Sequence, residues 1–193
     1  VLVGPPGTVD RLRSYSDLLA LRVFDADHPL PTERNVAASI AVEAFARAGG
    51  EERLVVLLSG GASAHLALPY AGLSLDDIRH VVERLLKAGA PIQDLNTVRS
   101  QLEVLKGGGL ARLAFPSRID ALVLSDVVGD DPAIIASGPL THNPLTASDA
   151  LRVLDNYGVT AAAGRVVEFL RLRARRDEDA SGGSGARKAG DQR

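Results

Sequence analysis

Cysteine is absent from the sequence. Without it the protein can form no disulfide framework, no thiolate nucleophile and no cysteine-ligated zinc site, and this composition fits the reducing cytoplasm. Long apolar stretches are missing as well, because no run approaches the roughly 18 residues of a membrane span. The amino terminus also lacks the basic and apolar segments of a signal peptide. We therefore predict a cytoplasmic protein with no membrane partner.

A dominant charge of one sign is missing too. Lys and Arg total 22 and Asp and Glu total 24, which gives a formal net charge of −2. No basic field exists to hold nucleic acid, so we predict no nucleic-acid partner. His65, His80 and His142 have no partner at metal-ligand spacing, which argues against a zinc site.

The length of 193 residues, 46% of them hydrophobic, suffices for one domain with a substantial core but not for two full-sized domains. We assign residues 1–170 to that domain. Residues 171–193 are rich in glycine, serine, alanine and charge, and we predict that they form a disordered polar tail. Because the chain opens on a strand-like Val1-Leu2-Val3 and contains no methionine, we expect it to be a fragment of a longer protein.

Two apolar runs set the predicted fold class. Residues 54–58 and 119–124 show no polar alternation, which predicts strands buried on both faces, as in a parallel sheet covered by helices. A further strand is predicted over residues 19–24. The expected fold is α/β, a three-layer Rossmann-like domain with a mainly parallel sheet, apparently truncated. Loops at the carboxyl ends of such strands bind ligands, so the loops after the two runs are predicted to share one edge.

These two loops carry the candidate chemistry. The first, Ser59-Gly60-Gly61-Ala62-Ser63, can bring backbone N–H groups and hydroxyls up to an anion, although a tight turn explains its glycines as well. The second, Ser125-Asp126-Val127-Val128-Gly129-Asp130-Asp131, has three carboxylates that can hold a metal or orient a hydroxyl, or can simply cap turns. Together the loops suggest phosphate chemistry. Neither a P-loop nor a dinucleotide-binding glycine motif is present.

Capping residues and apolar spacing predict the helices. Thr32, which follows two prolines, is expected to cap a helix that ends at Gly49-Gly50. Its predicted apolar stripe consists of Val36, Ala37, Ile40, Ala41, Ala44 and Phe45. A capping box of Ser74 and Asp77 precedes the next stripe, formed by Ile78, Val81, Val82, Leu85 and Leu86.

Three more helices are predicted further along the chain. One covers residues 91–106 and aligns Asn96, Arg99, Glu103 and Lys106 on one side, where a solvated surface is the common interpretation and a ligand site the alternative. Another covers residues 146–157, with Ala150, Leu151 and Leu154 inward, and a last one covers residues 165–173.

Six segments, taken in order over about residues 26–159, resemble the signature series of the glycerate 2-kinase family. They are His28-Pro29-Leu30-Pro31, Leu57-Leu58-Ser59-Gly60-Gly61-Ala62-Ser63-Ala64, Asn96-Thr97-Val98-Arg99, Lys106-Gly107-Gly108-Gly109-Leu110-Ala111, Ser125-Asp126-Val127-Val128-Gly129-Asp130-Asp131 and Ile135-Ala136-Ser137-Gly138-Pro139. The resemblance implies phosphorylation of D-glycerate to 2-phosphoglycerate with ATP and Mg²⁺, in a cleft between an α/β domain and a carboxy-terminal MOFRL domain. Some members of the family are labelled hydroxypyruvate reductases.

The chain departs from the family in four places. It lacks the early Gly-Lys-Ala segment that supplies a family lysine, and after Val159 it lacks the MOFRL domain with its Gly-Gly-Thr-Asp-Gly motif. Ala62 stands where the family usually has glycine, and Gln101 stands near a position where the family usually has a basic residue or histidine. The missing parts leave open a second interpretation, a non-catalytic remnant that binds glycerate, nucleotide or a partner subunit. A third, an oxidoreductase acting on hydroxypyruvate, lacks a dinucleotide motif.

The resemblance also implies roles for site residues, which the chemistry of phosphoryl transfer supports without assigning them uniquely. Arg99 and Lys106 would neutralise developing charge, and Asp126 and Asp130 would hold Mg²⁺ or accept the hydroxyl proton. Phosphate or the glycerate carboxylate would be bound by Ser59, Gly60, Gly61, Ala62, Ser63, Asn96, Ser125, Ser137 and Gly138. As partner we expect either a second copy in a homodimer or a separate chain that supplies the missing domain.

Overall fold

The structure is a computed structural model that describes residues 1–13, 15, 20–50, 52–125 and 127–186, with side chains up to residue 179. The chain forms two compact units. The first consists of Val1–Leu75 and Glu103–Asn143, and the second of Asp76–Leu102 and Pro144–Arg193.

The first unit contains all the strands of the described residues. They are β1 (Leu2–Gly4), β2 (Val23–Asp25), β3 (Arg53–Leu58) and β4 (Arg118–Val123). β1 pairs with β2 and β3 pairs with β4, both in parallel, as two separate two-stranded sheets. The α/β class with parallel pairing is thus confirmed. Of the strand predicted over residues 19–24, only the end is a strand, and residues 16–19 lie outside the described residues.

Helices of the same unit are α1 (Pro6–Arg13), α2 (Glu33–Ala48), α3 (Ala62–His65) and α6 (Gly109–Ala114), with a 3-10 turn at Ile135–Ser137. Leu54, Val56 and Ile119 of the β3–β4 pair pack against a core cluster of Ala46, Leu66, Leu68, Leu105, Leu110 and Ala114. On the opposite face Val55, Leu57 and Leu122 are 56%, 73% and 62% exposed. The prediction that these strands are buried on both faces is therefore wrong, because helices of the described chain cover one face only.

α2 begins and ends where its capping residues predicted. Thr32 caps it, and the Asn35 side chain returns to the Thr32 backbone in a capping box. Its buried side chains, however, are Asn35, Ala38, Ser39, Ala41 and Ala46. Of the predicted stripe, Ile40 and Phe45 are about half exposed, so that stripe is wrong. The helix turns two polar side chains inward because both hydrogen-bond to backbone groups of the neighbouring loops.

The second unit is helical. It contains α4 (Leu75–Lys87), whose amino-terminal residue belongs to the first unit, α5 (Ile92–Leu102), α7 (Ala147–Asn156), a 3-10 turn at Thr160–Ala162, and α8 (Gly164–Ala186). Of the residues predicted to face inward on α4 and α7, Ile78, Val81, Leu85, Ala150 and Leu154 are buried, whereas Leu86 is 54% exposed, so the α4 stripe is confirmed only in part. None of the described helices is both long enough and apolar enough to cross a membrane.

Two helix boundaries differ from the prediction. α5 ends at Leu102 rather than near Lys106, because Glu103 forms a bridge with Pro69 and the Val104 N–H donates to the Leu68 carbonyl at 2.7 Å. α8 continues to Ala186, so residues 171–186 are helical where a disordered tail is predicted. Its buried residues Val166, Val167, Leu170 and Ala174 anchor the first turns, and the arginines and Glu178 that follow are good helix formers. Residues 187–193 lie outside the described residues.

Candidate functional site

The glycine loop (residues 59–63) and the acidic loop (residues 125–131) begin at one edge of the β3–β4 pair. Leu58 and Val123 are opposite each other in the parallel register, and the Leu124 N–H donates to the Leu58 carbonyl at 2.8 Å. Both loops therefore start at adjacent carboxyl ends, as predicted. Asp126, the first acidic candidate, lies outside the described residues.

Gly61 has a φ of +82° at the amino-terminal end of α3, a conformation that favours glycine. A Cβ added there would lie 3.1 Å from His65 Cε1 and 3.4 Å from His28 Cδ2. The two imidazoles meet edge to face, with centroids 5.6 Å apart. A side chain at position 61 would press against both imidazoles, which explains the glycine. The loop therefore lies directly against the histidine pair. Ser59 and Gly60 remain exposed at the start of the loop.

Ser63 and Ser137 are joined by their hydroxyls, 2.6 Å apart. Ser137 lies in a strained segment, because Ala136, Ser137 and Gly138 all have φ between +54° and +62°. Gly107 and Gly108 hold this segment by donating N–H bonds to the Ser137 and Gly138 carbonyls at 3.1 and 2.7 Å. The structure therefore brings Ser63, Ser137 and Gly138 together with the triple-glycine turn.

Lys106 lies beside the glycine loop and is 1% exposed. Its ammonium donates to the carbonyls of Ser63 and Leu66, each at 2.7 Å, and lies 3.4 Å from the carboxylate of Glu103. Glu103 is also 1% exposed. The prediction that both residues sit on one face of a long helix is wrong, and neither belongs to a solvated surface.

Asn96 and Arg99 lie on α5 in the second unit and are partly buried. The other described candidates, namely Ser59, Gly60, Gly61, Ala62, Ser63, Lys106, Ser125, Asp130, Ser137 and Gly138, belong to the first unit. Gln101, where the family usually places a basic residue or histidine, donates its amide N–H to the Leu145 carbonyl at 2.8 Å, which is a packing role.

The acidic loop turns sharply. Asp130 is exposed with a φ of +51°, whereas the Asp131 carboxylate accepts an N–H bond from Ala133 at 2.8 Å. Ser125 likewise accepts from the Val127 N–H at 3.1 Å. In the described ranges no three histidine or acidic side chains cluster to hold a metal. An exposed carboxylate in a loop suits Mg²⁺ carried by a phosphate ligand, since Mg²⁺ usually takes one or two carboxylates plus substrate phosphates.

Sequence reasoning missed three residues around the loops: Asn35, Ser39 and His65. The Asn35 amide donates to the carbonyls of Asp27 and Ala64 at 2.8 and 2.9 Å, and the Ser39 hydroxyl accepts from the Ala67 N–H at 2.8 Å. These bonds tie α2 to the residue before His28 and to the chain that follows the glycine loop. The i, i+4 spacing of Asn35 and Ser39 within a helix that has few large apolar residues was the available signal.

The fold defines the class of this molecule, an α/β protein whose parallel strand pair presents two polar loops at its carboxyl edge, where such folds bind ligands. The family described as Domain of unknown function (DUF4147) matches residues 6–171, and the chain belongs to it.

Named relatives agree with the resemblance to glycerate 2-kinases. A D-glycerate 2-kinase of Thermotoga maritima is 42% identical over 138 residues, 71% of this chain and 33% of the relative. A putative hydroxypyruvate reductase of Agrobacterium vitis is 44% identical over 138 residues, 71% of this chain and 36% of the relative. The crystal structure of a Thermotoga maritima glycerate kinase matches with a TM-score of 0.74 and 39% identity, over 78% of this chain and 36% of that chain. The chain thus spans about a third of the length of these relatives.

Proposed function

We propose that the chain is the amino-terminal part of a cytoplasmic kinase that phosphorylates D-glycerate to 2-phosphoglycerate, with ATP as co-substrate and Mg²⁺ as cofactor. The observation that carries the proposal is the pairing of the glycine loop with the acidic loop at one strand edge. The 42% identity to a D-glycerate 2-kinase supports it. As a macromolecular partner we propose a second copy of the chain or a separate chain.

In this proposal the glycine loop binds phosphate or the glycerate carboxylate through the backbone and hydroxyls of residues 59–63, assisted by Ser125, Ser137 and Gly138. Asp126 and Asp130 would hold Mg²⁺, which would supply positive charge to neutralise the phosphate oxygens. Asp126 and Asp130 would orient that ion or accept the proton of the substrate hydroxyl. Arg99 would stabilise the charge that develops during transfer, and Asn96 would orient the substrate.

One observation favours a second function. A relative with 44% identity is named a putative hydroxypyruvate reductase. The sequence has no dinucleotide motif, so we keep the kinase as the main proposal. Oxidation of NADH or NADPH on addition of hydroxypyruvate, with no ATP consumption in the presence of D-glycerate, would favour the reductase. Binding of glycerate or nucleotide without turnover in any assembly would favour a non-catalytic remnant.

The proposal predicts different rates for the isolated chain and for a chain joined to the remaining part of a longer relative. We expect negligible ATP consumption with D-glycerate and Mg²⁺ from the isolated chain, since a cleft that lacks one wall cannot exclude water. A turnover near the usual ~1 to 100 per second of kinases would contradict this expectation.

In the joined chain, Asp130→Asn should lower kcat by roughly a hundredfold or more, because it removes a positioned carboxylate. Its unfolding free energy should change by less than about 1 kcal/mol, as at most exposed sites. Asp131→Asn is the matched control, since Asp131 caps the Ala133 N–H. Equal loss of rate in both variants would show that the loop acts through its shape. The same pair of measurements on Asp126→Asn tests the other acidic candidate.

A further inference from the structure

The first unit contains a buried ion pair that the proposed mechanism does not use. Lys106 Nζ and a Glu103 carboxylate oxygen are 3.4 Å apart, and both residues are 1% exposed. Moving two charges this far from water is unfavourable unless they are paired and hydrogen-bonded. A buried pair next to a candidate binding loop therefore needs an explanation beyond stability.

The contacts of the ammonium supply that explanation. Lys106 donates to the carbonyls of Ser63 and Leu66 at the carboxyl end of α3. Carbonyls at a helix end lack partners within the helix and carry partial negative charge, so a cation is favourable there. α3 has four residues and begins at Gly61 without a side-chain cap. A single turn of this kind is marginal by itself, and it depends on such outside contacts.

Glu103 acts on the same segment through its backbone. It forms a bridge with Pro69, and the next residue, Val104, donates its N–H to the Leu68 carbonyl at 2.7 Å. The chain on either side of the ion pair is thus fixed to the residues that leave α3. The carboxylate, 3.4 Å from the ammonium, offsets part of the cost of burying that charge and keeps it directed at the α3 carbonyls.

We propose that Glu103 is a positioning residue that acts through Lys106 to hold α3, and with it Ser63 and the glycine loop, in the conformation seen in the structure. Lys106 then acts on the loop rather than on the transferred phosphate. The link to substrate binding rests on the proposed function, but the effect on α3 does not. The Ser63 hydroxyl, held against Ser137 at 2.6 Å, is the group whose placement the pair controls.

Amide hydrogen exchange on the 193-residue chain tests this inference. In Glu103→Gln we expect protection of the His65 and Leu66 amides, which bond to Gly61 and Ala62, to fall at least about tenfold more than protection of α2 amides. Glu43→Gln is the matched control, because Glu43 pairs with Arg47 at 2.9 Å on the surface of α2. It should leave α3 unchanged.

A double-variant cycle separates positioning from general stabilisation. If Glu103 acts through Lys106, Glu103→Gln should add little to the loss already caused by Lys106→Met. Additive losses, or an even loss across α2 and α3, would overturn the inference. Should Glu103→Gln fail to fold, the double variant, which buries no charge at this place, must fold; a double variant that stays unfolded also overturns it.

Titration of the same samples with D-glycerate keeps the two proposals apart. Local loss of α3 protection together with weaker glycerate binding supports both. If Glu103→Gln shows the local loss but the wild-type chain binds no glycerate, either alone or joined to the remaining part of a relative, the result supports the role of Glu103 and rejects the proposed function.

Discussion

At the scale of single residues, His65 shows how burial sets chemistry beside the glycine loop. The side chain is 8% exposed, and its Nε2 has no hydrogen-bond partner within the described part of the chain. Burial, and to a lesser degree the neighbouring His28, lowers the pKa of the imidazole from its usual 6.5. A neutral imidazole in this place can accept a proton only at a cost to folding.

We therefore predict that stability falls as the pH decreases. Between an unfolded-state pKa of about 6.5 and the lower folded-state pKa, the unfolded chain binds a proton that the folded chain does not, so the unfolding free energy decreases as the pH drops. His65→Phe removes this titration and should flatten the dependence between about pH 7.5 and pH 5.5 in urea unfolding. His80→Phe, at an exposed position, controls for the loss of an imidazole. A slope unchanged in His65→Phe would show that His65 does not titrate differently on folding.

At the scale of elements, the capping box of α7 consists of reciprocal hydrogen bonds between Thr146 and Asp149. The Thr146 hydroxyl accepts from the Asp149 N–H at 3.3 Å, and an Asp149 carboxylate oxygen accepts from the Thr146 N–H at 2.8 Å. The bond from the Thr146 N–H lowers the pKa of Asp149 most, followed by the bond that the Thr146 hydroxyl donates to the same carboxylate at 2.8 Å. Thr146→Ala should lower the unfolding free energy by about 1 kcal/mol, measured by urea unfolding, because helix N–H groups lose their partners.

Thr160 provides the matched control for this prediction. Its hydroxyl is buried without a hydrogen-bond partner in the described residues, in the same unit. Thr160→Ala removes the same group but breaks no bond, so we expect a neutral or slightly stabilising change. Equal destabilisation by the two substitutions would mean that lost packing, and not the cap, sets the effect at Thr146.

Features marked by a local sequence pattern were predicted correctly, whereas features set by side-chain contacts between distant residues were not. Local signals were sufficient for the start of α2 at Thr32 and for the parallel pairing that brings the two loops to one edge. Side-chain contacts between residues far apart in the sequence were not predictable. Asn35 faces inward because it donates to the carbonyls of Asp27 and of Ala64 in α3, and α5 ends early because Glu103 forms a bridge with Pro69. For the site, the residue types identified the two loops. The burial of Lys106, however, depends on Ser63 and Leu66, which lie 43 and 40 positions away in the sequence.

At the scale of the whole molecule, the β3–β4 pair presents an apolar face to solvent. Leu57 and Leu122 are opposite each other in the register and are 73% and 62% exposed. Contiguous exposed apolar surface usually marks a contact with another protein segment. In the isolated chain the two faces of the pair should therefore respond differently to the same substitution.

Val55 and Val56 make this comparison within one strand. Val55 is 56% exposed, whereas Val56 packs against the core cluster. Threonine keeps the shape of valine and adds a hydroxyl, which is unfavourable only where water is excluded. Val56→Thr should lower the unfolding free energy by about 1 to 2 kcal/mol, and Val55→Thr should change it by less than about 0.5 kcal/mol. Urea unfolding at several protein concentrations measures both values. A Val55→Thr effect that matches that of Val56→Thr and grows with concentration would mean that a second copy of the chain covers this face, because only an intermolecular contact depends on concentration.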